Sequence, residues 1–275
     1  MKTSRRPSFR GLVVRAAGSV AAVVLPHALN SPALAADPPP RTSPPVRDGD
    51  RIRFGEVSVH PPTRTVSFPA SVQMTNGLLE YAVVTEYGKT HESLLMTTAL
   101  PIDIQAALVL LRAQPTGTNG LRSPIREVPP RSAIGVTVAW TNAETPFRVP
   151  LNQLVALTTG GPQGAITGSL RAGPWIFNGS MFTPEGFGAH FDGSIVALIH
   201  DPIAILNNPG PDRDDDEIHV PAPGRLPRLG TSATVELVVG GPVGPGQATA
   251  PTPHQGGPDH RPGLPGSGAV QEPPP

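Results

Sequence analysis

Between residues 50 and 239 apolar and polar side chains alternate over short runs, and a period of two predicts strands. "RIRFGEVSVH" and "TRTVSFPASVQM" alternate in this way on either side of His60-Pro61-Pro62, which reads as strand, turn, strand. "LLEYAVVTE" and "KTHESLLMTT" flank Tyr87-Gly88 as a short hairpin, and "AIGVTVAWT" and "PFRVPL" bracket Asn142 to Thr145 in the same manner. "GFGAHF" and "SIVALIH" flank Asp192-Gly193, a dipeptide that accepts the positive φ of a tight turn. "ATVELVV" supplies a last strand.

Three segments break the alternation. Residues 101–113, "PIDIQAALVLLRA", open with proline and place Ile104, Leu108 and Leu111 on one stripe, which predicts the principal helix. "PLNQLVAL" and "DPIAILNN" read as two short helices, the second capped by Asp201 with Pro202 in its first turn. Residues 114–133 form a long loop with little to bury. The expected fold class is α+β, a mainly antiparallel β-sheet with one principal helix and two short ones. The alternative is an all-β sandwich with helical decorations.

The ends of the chain have a different composition. Lys2, Arg5, Arg6 and Arg10 precede the mildly apolar "GLVVRAAGSVAAVVL", and "SPALAA" offers an A-x-A site, so residues 1–36 read as a cleavable export signal. Arg15 and the small residues around it make a poor membrane span. "SRRPSF" resembles a twin-arginine signal with Phe9 one position late, which leaves the secretory and twin-arginine routes both open. Residues 37–49 are a proline-rich linker, 50–239 the globular domain, and 240–275, with 10 prolines and 9 glycines, a disordered tail. The expected product is exported, periplasmic or secreted, and soluble once the signal is removed.

Charge and cysteine content narrow the chemistry. The chain carries 21 basic and 21 acidic groups, and loss of Lys2, Arg5, Arg6, Arg10 and Arg15 leaves 16 against 21, a net −5. A mildly acidic domain offers no footprint for nucleic acid or anionic lipid. The absence of cysteine excludes disulfides, thiolate metal sites and a cysteine-ligated iron–sulfur cluster, and no cofactor is expected.

Two stretches hold candidate chemistry. His91-Glu92 begins the zinc-protease signature H-E-x-x-H, but Leu95 stands where the second histidine belongs, and the stretch reads as a strand. The catalytic candidates there are Lys89, His91, Glu92 and Ser93, with His91 as a base for Ser93. The plainer reading of Lys89 is a surface ion pair with Glu86 across the turn. Asp212, Asp214 and Asp216 are candidate metal ligands, although an EF-hand loop wants glycine at its sixth position and glutamate at its twelfth, where Glu217 and Pro223 stand. A solvated acidic loop is the simpler account. Trp140 and Trp175 read as core aromatics.

The order of these motifs, "GKTHESLL", then "WIFNGSMF", then "DGSIVALIHDPIAILNNP" and "DDDEIHV", resembles the YdjY-type domain of bacterial exported proteins over about residues 50–240. The family-typical positions are Glu80, Gly88, Lys89, His91, Glu92, Ser93, Asp201, Asn207 and Asn208. That family has no established activity, so the resemblance implies a domain and a compartment, not a reaction. Some relatives are linked to iron–sulfur clusters, which this cysteine-free chain has no thiolates to ligate.

The expected function is therefore an exported non-catalytic binding or structural module for an unknown protein, glycan or small ligand of the cell envelope. The alternative is a hydrolase-like or metal-dependent periplasmic enzyme centred on His91, Glu92 and Ser93.

Overall fold

The computed structural model describes residues 42–241 apart from 123, 124 and 126. The expected signal and all but the first two residues of the expected tail lie outside the described residues. Among the described residues no helix is long and apolar enough to cross a membrane.

Eight strands close on themselves: β1 (Thr65–Val72), β2 (Tyr81–Thr85), β3 (Ser93–Thr97), β4 (Ala133–Asn142), β5 (Trp175–Phe177), β6 (Ser194–Ala197), β7 (Leu206–Asn207) and β8 (Ser232–Val239). Their order around the ring is β1-β8-β4-β5-β7-β6-β2-β3, and β3 returns to β1 through Ser71↔Met96 and Val72↔Leu95. The architecture is thus a closed mixed β-barrel with extra strands. It is neither the expected α+β sheet nor the sandwich offered as its alternative. Closure leaves the eight strands no free edge, which is the simplest protection against edge-to-edge pairing.

Two pairs in the ring are parallel, β2 with β3 and β6 with β7. The first overturns the expected Tyr87-Gly88 hairpin. Residues 86–92 instead carry the chain back so that Ser93 lies beside Tyr81, a very short return for a parallel pair. The alternation in sequence reports which faces are buried, not the direction of the neighbouring strand. It is cleanest in β1 and β8, which show one buried face each. β2 and β6 are buried along their whole length, so something covers their outer faces as well.

Strands Pro45–Asp48, Arg51–Phe54 and Val57–His60 form a meander that joins the first half of β1. The first of them falls in the stretch read from sequence as linker. It is held down by Asp103, which is 1% exposed and accepts hydrogen bonds from the backbone N–H (2.7 Å) and hydroxyl (2.6 Å) of Ser43. The Asn142–Thr145 turn joins β4 to strand Thr145–Pro150 as expected, with Ala143 and Glu144 at positive φ.

Of the expected helices one survives. Helix α1 (Pro101–Leu110) buries Asp103, Ile104, Ala107 and Leu108, and it stops before residue 113 because Arg112 turns left-handed at φ 61°. "PLNQLVAL" yields only a 3-10 turn, Leu151–Gln153, before strand Val155–Thr159, where Val155, Thr158 and Thr159 favour the extended state. "DPIAILNN" is a loop ending in β7. "GFGAHF" holds the short strand Gly186–Phe187 and then helix α2 (Gly188–Asp192), with Gly193 as its left-handed cap, where a hairpin is expected. The 114–133 loop is not empty: Leu121 in its 3-10 turn is fully buried.

Candidate functional site

The return loop 86–92 brings Lys89 over the end of β2. Its Nζ lies 3.2 Å from the Tyr81 hydroxyl, 3.3 Å from Glu80 Oε2 and 3.5 Å from Glu92 Oε1, and 5.0 Å above the Tyr81 ring centroid. Glu86, the partner expected from sequence, makes no ion pair with Lys89 among the described residues. Burial alone would lower the Lys89 ammonium, but the Tyr81 hydroxyl and the Glu80 carboxylate outweigh it, and the net direction is upward. A lysine held so firmly protonated is a cation, not a nucleophile. Burial first, then the charge of Asp201, pushes the Tyr81 phenol up to about 12. Burial first, then Glu92 close by, raises Glu80.

The other candidates at this loop do not join the cluster as reactive groups. Ser93 is fully buried, and its hydroxyl donates to the Lys89 carbonyl at 2.6 Å. The His91 side chain is 80% exposed, with Nε2 3.8 Å from Glu92 Oε2. The base is turned outward while the hydroxyl is sealed inside, so no base–nucleophile couple forms. The stretch 90–92 is a 3-10 turn, neither the strand read from sequence nor the α-helix that a zinc-protease motif requires.

The acidic run likewise divides. Asp212 faces inward and accepts from Asn208 Nδ2 (2.6 Å) and His219 Nε2 (3.0 Å), while Asp214 and Asp216 are exposed. Burial would raise the Asp212 carboxyl, but His219 and Asn208 prevail and hold it below the ordinary range. Among the described residues no three His, Asp or Glu side chains are grouped to hold a metal ion.

Behind these side chains lies a polar web that the sequence pattern did not reveal. Asn207 donates to Asn178 Oδ1 (2.9 Å) and to the Asp201 carbonyl (2.7 Å), and its own Oδ1 accepts the Asp201 N–H (2.9 Å). Asn178 in turn donates to the carbonyls of Pro202 and Ala204. Asp201 Oδ1 accepts the Ile203 N–H, whereas Oδ2 is buried and meets no hydrogen-bond geometry among the described residues. This web shapes the 201–208 loop. Its traces in the sequence are Asp201 and the adjacent pair of asparagines in "NNP", and nothing in "WIFNGSMF" marks Asn178 as their companion.

The same loop ends at Asn208-Pro209, which forms one wall of a cavity of about 220 Å³. Its other walls come from Leu170 to Trp175 and from Ile125, Glu127 and Val128. None of Lys89, His91, Glu92, Ser93, Asp212, Asp214 or Asp216 lines it. Trp175, read from sequence as a core aromatic, is 3% exposed and does belong to the core, and it also forms part of this cavity's lining.

The chain matches no protein-family model, no curated protein and no solved structure.

Proposed function

We propose that the protein is an exported, non-catalytic binding module of the bacterial cell envelope, of the YdjY type, with the cavity beside Trp175 as its ligand seat. The observation that carries this reading is the contrast between the two places. The cavity is open, concave and largely apolar, with a few polar groups at its wall, as ligand seats are. At the Lys89 loop the hydroxyl is buried, the imidazole faces solvent and the lysine is neutralised by two carboxylates. The Lys89 cluster then serves to pin the short parallel return, not to perform chemistry.

Native mass spectrometry of the full chain, isolated from exporting cells, tests this. A small molecule should be retained by the parent and lost from an Ala172→Trp variant, in which the new ring fills the cavity. Turnover of an ester or amide substrate that disappears in His91→Ala would overturn the reading, because His91 is exposed and its loss leaves the fold intact.

A further inference from the structure

We propose that the cavity beside Trp175 takes the zwitterion of a free aliphatic α-amino acid, with Arg171 holding the carboxylate and Glu127 the ammonium. This rests on the reading of the cavity as the ligand seat. Arg171 and Glu127 come from separate segments, carry opposite charges and line the same cavity. Both are exposed, and among the described residues neither is in an ion pair, with the other or with a third group. A guanidinium presents a fork that fits a carboxylate through two parallel N–H donors, and a lone carboxylate beside it suits an ammonium.

The remaining walls set the size and polarity of the occupant. Val128, Leu170, Trp175 and Pro209 offer apolar surface, which suits an aliphatic side chain. At about 220 Å³ the space falls below the roughly 300–1,000 Å³ typical of drug-sized ligands. A nucleotide or a long acyl chain is too large, and Glu127 opposes a second negative charge. The Asn208 amide contributes shape alone: its NH2 group donates to Leu198 and Asp212, and its oxygen accepts from Gly210. The backbone N–H groups of Arg171, Ala172 and Gly173 lie outside every strand and helix and make no loop hydrogen bond among the described residues.

Calorimetric titration of the full chain with leucine, N-acetyl-leucine, leucine amide and 4-methylpentanol tests the inference, with the Trp175 indole N–H resonance, assigned through Trp140→Phe, as the marker of place. Leucine should bind and shift that resonance. Each capped form should bind at least about tenfold more weakly, the change expected from one lost charge-assisted hydrogen bond. Arg171→Gln should weaken leucine and N-acetyl-leucine but not leucine amide, and Glu127→Gln should weaken leucine and leucine amide but not N-acetyl-leucine. Capped forms that bind as well as leucine overturn the zwitterion. If 4-methylpentanol shifts the Trp175 resonance and leucine does not, the zwitterion fails while the cavity stands as a seat. If no probe shifts it, both readings fall.

Discussion

Asp201 and Asp212 show how one loop region can set two carboxylates in opposite directions. Asp212 is held below the ordinary range because His219 and Asn208 outweigh its burial, whereas burial raises Asp201 above it. The depressed group contributes stability above the unfolded value of about 3.9, and that contribution is lost as pH falls through the folded value. The raised group has the opposite sign: its stability cost sets in as pH climbs above about 3.9. Asp212→Asn is therefore expected to cost about 1–2 kcal/mol at pH 7: Asn208 and His219 both donate to Oδ2, so an amide oxygen there keeps both contacts but loses the charge that strengthens them. That cost should shrink as pH falls below about 4. Asp201→Asn keeps the acceptor for the Ile203 N–H and removes a buried charge, so its stability at pH 7 should stay within about 1 kcal/mol of the parent. Urea denaturation of both variants across pH 3–7 measures the difference. Lys89→Met should raise the Glu80 carboxyl further, because the nearest cation is gone while Glu92 remains. Carboxyl-carbon NMR titration reads that directly, and an unmoved Glu80 would mean the lysine does not neutralise the pair.

At the scale of elements, local signals were legible and their continuation was not. Asp201-Pro202 does what a helix start does, since Asp201 Oδ1 accepts the Ile203 N–H. The helix fails to propagate because Asn207 reaches back to both the N–H and the carbonyl of Asp201 and closes the loop. No spacing rule announces that return. Asp192-Gly193 signals positive φ correctly, and Gly193 has φ 82°, but it caps α2 instead of turning a hairpin. The candidate site divides in the same way. Lys89 and Glu92 stand out in the sequence and do meet, while Tyr81, their closest companion, sits in an apolar strand that gives no sign of it. Gly193 also allows a close approach: a Cβ there would lie 2.4 Å from Thr85 Oγ1 and 2.7 Å from Gly88 Cα. Gly193→Ala combines that clash with a left-handed φ and should cost about 2 kcal/mol or more, seen as a lower urea midpoint at unchanged m-value. A neutral result would mean that the α2 corner yields without strain.

For the whole molecule, strand positions were legible and ring order was not. The period of two in β1 and β8 marks a buried face, but nothing in those residues says that β8, last in the chain, lies between β1 and β4. Closure depends on contacts distant in sequence, and those are unevenly distributed. β8 pairs with β1 over seven residues and with β4 over six, whereas β5 meets β7 over two, and β3 meets β1 over two. Long ladders share their hydrogen bonds with many neighbours, so they open only with the whole fold, while short seams open by themselves. Native-state hydrogen exchange should therefore find the slowest amides at the centre of β8, around Val235 and Leu237, both fully buried. The seam amides of Gln73 and Met74, which both donate to the Leu94 carbonyl on the β3 side, should exchange faster, through openings that depend little on denaturant. If the seam amides instead exchange with the same free energy and the same denaturant dependence as Val235, the barrel opens as one unit and closure is as strong as the long ladders.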